Sequence, residues 1–465
     1  MRKLKKTVIY ILLFYIFEFA LVFPFPVRER TSADNPIPPT GQTITISKND
    51  RILVVSPHPD DAALSSSGII KEAVKKGAKV KVVYITCGSH NTTTMIKDTK
   101  VHTVTPFSGI LLGETRHSEA VCAMKKLGLC QKDLVFLGFP DFGTLKIWTD
   151  HFNNIPYFSG ITLHDRTFYK FAYKKGVPFT AGNELMLLEK IIKTFNPTKI
   201  IYTPTIDLNS DHRATGLFVD AALFDLSKTV KAERFQYFMH AEDWPQPQKF
   251  SPKLYISAPK YIKNLSGMWF NFFLTKDEEN SKEEAIKCHK SQVKSKPNFM
   301  LSFVRKNEPF FREEEKINNF MPLWTDKEME KLRISPFVTS VFIGEKNEYI
   351  TYNIKIKRGF ENFTKMYIFI YPEEEGKPFL QTPKYRITIT RLVGHSLKVT
   401  LEKDGTPVVF KRKEINTKSS ELLLNIQINK KYINGAKAIF TAVQMEQANL
   451  RVSETPWWNV SLQNQ

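Results

Sequence analysis

The chain has 465 residues, 42% of them hydrophobic and 12% aromatic. That is long for a single domain and too apolar for a disordered chain, so two or three globular domains are expected. The formal net charge of +20 suits an acidic partner such as an anionic glycan or a phospholipid surface. The lysines are scattered, with no arginine-rich stripe and no nucleic-acid motif, so nucleic acid is not an expected partner.

Arg2, Lys3, Lys5 and Lys6 precede a stretch, Thr7 to Phe25, that is apolar apart from Glu18. A basic flank followed by such a stretch predicts a signal peptide or membrane anchor over residues 1–27. The positive flank would leave the remainder outside the cytoplasm, so an exported protein is expected, periplasmic, extracellular or anchored facing outward. Residues 28–43, with Pro36, Pro38 and Pro39, read as a linker. Cys87, Cys122, Cys130 and Cys288 are too few for a disulfide scaffold in so long a chain. Buried free thiols are expected, although export would permit one pair.

From Ile44 onward strands and helices alternate. The apolar run Arg51 to Val55 predicts a buried strand, and residues 61–76 a helix ending at Gly77. Lys79 to Thr86 predicts a second strand. Residues 88–113, rich in Thr and Ser, are expected as a long loop before a helix over 114–127. Further strands are expected near Leu134 to Leu137 and at Lys199 to Tyr202, the latter led in by a helix over 183–195, and another at Phe235 to His240. This alternation predicts a Rossmann-like, mostly parallel sheet with flanking helices. The segment between Asp141 and Val177 is dense in aromatics, Trp148, Phe152, Tyr157 and Tyr169 among them. It is expected either to wall the substrate cleft or to form an accessory structural piece. Past Pro322 short strands recur from Phe337 to Gln444 between Gly and Asp-Gly turns. They predict a β-sandwich over residues 330–460, for docking or for carbohydrate. Asn-x-Ser/Thr sites at Asn91, Asn264, Asn362 and Asn459 matter only in a secretory-pathway host.

The chemistry concentrates at two strand ends. Ser56-Pro57-His58-Pro59-Asp60-Asp61 follows the first strand. A His and an Asp three residues on can turn toward one ion, leaving Asp60 in the same pocket to handle protons. The same residues can instead cap a helix, with His58 merely packed. Asp207-Leu208-Asn209-Ser210-Asp211-His212-Arg213-Ala214-Thr215-Gly216 follows the Lys199 strand and sets a second His in the matching position. His58, Asp61 and His212 as ligands would leave the fourth position of a zinc site open, the catalytic pattern.

These paired motifs resemble the LmbE/PIG-L family of metal-dependent N-acetylglucosaminyl deacetylases. Arg116-His117-Ser118-Glu119-Ala120 with Leu127-Gly128, Phe136-Leu137-Gly138-Phe139-Pro140-Asp141, and Ala285-Ile286 with Ser291-Gln292 resemble further family segments. The match covers roughly residues 50 to 310 within a domain expected over 44–320. The resemblance implies Zn²⁺ held by His58, Asp61 and His212, though Mn²⁺, Fe²⁺ and Co²⁺ accept the same donors. It implies Asp60 as general base; spacing alone permits the reverse assignment of Asp60 and Asp61. It places Arg116 and Asn209 toward substrate; Asp211, beside His212, is expected as its outer partner, and His240, at a strand end, is expected to face the cleft. The implied reaction removes the N-acetyl group of an N-acetylglucosamine-containing glycan or glycolipid outside the cytoplasm. Two positions depart from the family: Ala62 stands where many relatives have Glu, and Asn209 where relatives have His. Asn cannot act as an acid, so Asp207, His240 or Asp60 would supply the leaving-group proton. An amidase for a longer N-acyl group, or a glycan-binding surface protein with a degenerate metal site, are the alternatives.

Overall fold

The computed structural model describes residues 39–98, 104–152, 155–241, 244–259, 267–313, 337–357, 364–391, 397–420, 422–447 and 450–462. The signal or anchor over 1–27 and residues 28–38 of the linker lie outside the described residues, as do Asn264 and Asn362. Among the described residues no helix is long and apolar enough to cross a membrane.

The first sheet contains Gln42–Thr43 (β1), Arg51–Ser56 (β2), Lys79–Thr86 (β3), Leu134–Phe139 (β4), Lys199–Tyr202 (β5), Glu233–Gln236 (β6), Gly267–Phe273 (β7) and Asn307–Glu313 (β8). Its order is β1-β7-β8-β6-β5-β2-β3-β4. Pairing is parallel except where β8 runs antiparallel to β6 and β7. The helices are Asp61–Lys75 (α1), Thr92–Asp98 (α2), Pro106–Lys126 (α3), Thr144–Asp150 (α4), Ala181–Phe195 (α5), Ser210–Asp225 (α6), Lys276–Cys288 (α7), Lys290–Ser295 (α8) and Pro297–Leu301 (α9).

The unbroken apolar run of β2 has a simple cause. Ile52 and Val54 pack on one face with Ile69 of α1 and Ala120 of α3. Leu53 and Val55 pack on the other with Leu188 of α5 and Leu217 of α6. A strand covered on both faces reads as continuous hydrophobicity rather than alternation. The chain runs from β2 to β3 and β4 on one side, then returns to place β5 on the other. β2 and β5 therefore flank the point where strand order reverses, the place where open α/β sheets carry ligands.

The later strands are Phe337–Lys346 (β9), Tyr349–Lys357 (β10), Thr364–Glu374 (β11), Tyr385–Arg391 (β12), Leu397–Lys403 (β13), Thr406–Val408 (β14), Ile415–Ser419 (β15), Leu423–Asn429 (β16), Ala436–Gln447 (β17), Leu450–Glu454 (β18) and Trp458–Ser461 (β19). They make one sheet in the order β15-β16-β10-β9 and a second in the order β14-β13-β12-β11-β17-β18, with β19 on β17. Alternate residues of β10, Ile350, Tyr352, Ile354 and Ile356, meet Met366, Ile368, Ile387 and Ile389 of the facing sheet in one core. This is a β-sandwich.

Two local expectations need correction, and a third is refined. Residues 88–113 are not a loop: they hold α2 and the first turns of α3. Thr105 caps α3 reciprocally with Ser108, and Pro106 occupies its first turn, a start signal present in the sequence. Cys122 and Cys288 are not free thiols but a disulfide joining α3 to α7, with Cα atoms 5.8 Å apart. Cys87 is buried and free, and Cys130 exposed and free. The aromatic segment divides. Trp148 is wholly buried and meets Phe218 at 5.0 Å, Phe379 at 5.5 Å, Phe440 at 5.7 Å and Trp457 at 6.0 Å, so it seals the sandwich onto the first sheet. Phe142, by contrast, is half exposed.

α1 bends at Ser66, which leaves the helical region with φ −134°. The Glu308 carboxylate accepts from the amides of Gly68 (2.9 Å) and Ile69 (3.2 Å) beyond the bend, and Lys282 Nζ balances its charge at 2.9 Å. Both side chains are buried. Lys282→Met leaves that carboxylate without its cation, and should lower the unfolding free energy by about 3–5 kcal/mol in urea titrations followed by circular dichroism. A loss below about 1 kcal/mol, the range of an exposed pair, would contradict this account of the bend.

Candidate metal and active site

The loop after β2 is shaped by its own functional groups. The His58 amide donates to Asp61 Oδ2 at 2.8 Å, and the Pro57 carbonyl accepts from the Thr86 amide and hydroxyl at the end of β3. After β5, the Asn209 side-chain oxygen accepts from the Asp211 amide at 2.8 Å and so caps α6. Gly216 lets α6 close on the strand exit, since a Cβ there would stand 2.7 Å from the Thr203 carbonyl oxygen.

The two loops bring three atoms together. His58 Nδ1 lies 3.1 Å from His212 Nε2 and 3.4 Å from Asp61 Oδ2, and His212 Nε2 lies 3.3 Å from Asp61 Oδ2. Donors about 2.0–2.1 Å from a tetrahedral zinc lie about 3.3 Å apart, so the triangle fits that ion. His58, Asp61 and His212 are all buried. The ligating atoms of His58, His212 and His240, and of His58, Asp141 and Asp211, also lie within 4.8 Å of one another.

Charge supports the same fit. Asp60, Asp61, Asp141, Asp207 and Asp211 are buried around the two imidazoles. Burial acts against a charged His58, yet Asp141, Asp211 and Asp61 raise its pKa well above the usual value. Burial also pushes Asp61 up, but His212 and His58 outweigh it and hold the carboxyl well below the ordinary range. In both cases the pocket favours a positive charge among its carboxylates.

Carboxylates also stand behind the imidazoles. His58 Nε2 faces Asp141 Oδ1 at 3.2 Å and Asp211 Oδ2 at 3.4 Å. Asp211 is itself fixed by the Phe142 amide (2.6 Å), the Thr144 amide (3.2 Å) and the Thr144 hydroxyl (2.6 Å). Asp211 thus serves His58 rather than its neighbour His212, because consecutive helical residues point about 100° apart. Behind His212 stands Asp207, 3.7 Å from Nδ1 and held by the amides of Asn209, Met239 and His240. Asp141 carried no assigned role in the sequence. Its position at the end of β4, in the same row as His58, was the available signal.

The remaining predicted residues divide. Asp60 Oδ1 accepts from Arg116 at 2.7 Å, and Arg116 donates its other terminal nitrogen to the Gly88 carbonyl at 3.0 Å. Arg116 is 4% exposed, so it faces Asp60 rather than substrate. Nor does it pair with Glu119, whose carboxylate accepts from the Ser291 amide and hydroxyl. Gly88, at φ +66°, keeps this space clear, since a Cβ would collide with the guanidinium. Asn209 commits its oxygen to the helix cap. The His240 ring stands 4.7 Å from that of His212 and stacks on Phe299 at 5.9 Å. Burial, with the positive side of His212 nearby, keeps its pKa well below the usual value.

Residues 53–223 match the family model described as PIG-L, GlcNAc-PI de-N-acetylase. No curated protein matches the chain in sequence. Among solved structures, the chain is similar to the N,N'-diacetylchitobiose deacetylase of Pyrococcus horikoshii, at 17% identity and TM-score 0.36, over 57% of this chain and 84% of that one. It is similar to a conserved protein of Thermus thermophilus, at 20% and 0.35, over 59% and 98%. It is also similar to the A40926 pseudoaglycone deacetylase Dbv21, at 17% and 0.37, over 57% and 96%. Residues 53–223 are thus a PIG-L (LmbE-like) family domain.

Proposed function

We propose that the chain is a zinc-dependent N-deacetylase that hydrolyses the acetamide of an N-acetylated amino sugar in a glycan or glycolipid. The observation that carries this reading is the triangle of His58 Nδ1, Asp61 Oδ2 and His212 Nε2 beside the Asp60–Arg116 pair. When bound there, zinc would polarise the amide carbonyl and make a water at the site more acidic. Asp141 and Asp211 hold the His58 ring with Nδ1 toward the triangle, as outer carboxylates do at metal sites. Arg116 grips one oxygen of Asp60, which leaves the other for the proton of the attacking water. Asn209 has no acidic proton, and His240 stays neutral at pH 7. Asp207 stands behind His212, held by three backbone amides, so Asp60 also returns the proton to the departing amine, one carboxyl serving as base and then as acid.

Location outside the cytoplasm is part of the proposal. It is supported by the basic-then-apolar N-terminal sequence and by the Cys122–Cys288 disulfide, since such bonds persist in oxidising compartments. A second reading, a longer N-acyl substrate, is favoured by Phe142. This residue is 50% exposed at φ 55°, its amide bonded to Asp211 at the site's edge, and its ring would give an acyl chain an apolar lip.

Purified protein should release acetate from N-acetylglucosamine conjugates, lose the activity on chelation and regain it with Zn²⁺. Asp60→Asn should lower kcat by about 10²–10⁴-fold with metal content unchanged, whereas His212→Ala should lose metal and activity together. Stoichiometric metal with no acetate from any conjugate would overturn deacetylation. Faster turnover of longer acyl amides, reduced by Phe142→Ala, would instead establish the second reading.

A further inference from the structure

Beside the metal site stands an ammonium group that the protein leaves unused. It belongs to Lys296, which joins α8 to α9. The Lys296 amide donates to the Gln292 carbonyl at 2.8 Å, and its carbonyl accepts from the Met300 amide at 3.1 Å. Gln292 is held in turn by Asn91, whose Nδ2 donates to Gln292 Oε1 at 2.8 Å. Lys97 Nζ donates to the adjacent Ser295 carbonyl at 3.3 Å. The backbone that carries Lys296 is thus tied to α2 and to the residue that precedes it.

The surroundings of Lys296 place its side chain toward the site. Phe299, three residues on, stacks on His240, whose ring stands 4.7 Å from that of His212. Lys296 is among the charges that, after burial, lower the pKa of His240. Lys296 is itself exposed, yet the protein around it lowers its pKa by desolvation first, with Arg116 and Lys97 adding to the effect and Asp60 opposing it. A side chain that reaches solvent and is still partly desolvated lines a concavity rather than an open surface. The groups that act on it, Asp60 and Arg116, identify that concavity as the approach to the metal site.

This ammonium has no counter-charge. Among the described residues no hydrogen bond or ion pair engages Lys296 Nζ. The carboxylate that acts on it, Asp60, is already gripped by Arg116 at 2.7 Å. The chain nearby offers no other: residues 288–307 include Lys290, Lys294, Lys296, Arg305 and Lys306, and neither Asp nor Glu. With Asp60 and Arg116 balancing each other, Lys296 and Lys97 leave this wall with an excess of positive charge.

We propose that Lys296 is a specificity residue that receives an anionic group, a phosphate ester or a carboxylate, carried by the amino sugar whose acetamide enters the metal site. The demand for an anion comes from the unpaired ammonium; the choice of an amino sugar rests on the deacetylase reading. An acidic sugar gains a charge-assisted hydrogen bond at this wall that a neutral one lacks. The net charge of +20 favours its encounter with the protein in the same sense.

The test is titration calorimetry of the zinc-loaded full chain with glucosamine, glucosamine 1-phosphate and muramic acid. All three are free amines, so none is turned over and the result does not depend on deacetylation. At least one of the two acidic sugars should bind about tenfold or more tightly than glucosamine, and the tighter of them identifies the anion as phosphate or carboxylate. That advantage should vanish in Lys296→Met and shrink when salt is raised to about 1 M. If Lys296→Met does not fold, as judged by thermal unfolding, Lys296→Gln decides in its place. Equal affinity for the three sugars overturns the proposal, as does absence of binding. An advantage that survives the substitution overturns it too, since the anion then sits on the metal or elsewhere. A failure here leaves the deacetylase reading standing for neutral conjugates, and a failure of that reading leaves this binding result unchanged.

Discussion

A cluster of carboxylates buried at one point of the sheet governs the chemistry of this protein. Asp60, Asp61, Asp141, Asp207 and Asp211 converge where β2 and β5 part, together with His58 and His212. Such charges are stable out of water only when hydrogen-bonded and balanced. Arg116 balances Asp60, and backbone amides hold Asp207 and Asp211. What remains is a triangle of two imidazole nitrogens and one carboxylate oxygen, which a divalent cation completes. The fold places this demand where the parallel strands end, the edge at which open α/β sheets carry ligands.

α3 connects that cluster to the rest of the molecule. Arg116, Glu119 and Cys122 follow one another at three-residue intervals, so they lie along one side of the helix. Arg116 fixes Asp60, Glu119 holds Ser291 by its amide and hydroxyl, and Cys122 is bonded to Cys288 at the end of α7. The same helix thus sets the Asp60 carboxyl and the late helices that pass beside it. The bend in α1, fixed by Glu308 and Lys282, acts on the element that begins with Asp61. Positioning here is carried by helices packed on a rigid sheet, which suits a site whose ligating atoms must stay within a few tenths of an ångström.

Much of this was legible in the sequence, and what was not had physical reasons. The run Arg51 to Val55 reads correctly as a strand because both its faces are covered. His58, Asp61 and His212 are legible because each sits within a short motif at a strand end. The sandwich is legible because β10 and its neighbours alternate strictly between core and surface. Contacts set by tertiary packing are another matter. Nothing local to Asp211 says that it turns to His58 rather than to the adjacent His212, and nothing in the arginine motif says that Arg116 meets Asp60. Cys122 and Cys288 are separated by 166 residues, and only the packing of α3 on α7 makes them neighbours. Trp148 lies in an aromatic segment that reads equally as a cleft wall or an accessory structural piece; only the folded sandwich shows that this ring seals a domain seam.

The central claim is that a single cation belongs in the triangle. Crystals grown with Zn²⁺, measured on both sides of the zinc absorption edge, would locate it without reference to turnover. The account predicts one anomalous peak bounded by His58 Nδ1, Asp61 Oδ2 and His212 Nε2, with Asp141 and Asp211 outside the coordination sphere. A peak seated between Asp141 and Asp211, or one that His212 does not touch, would contradict it.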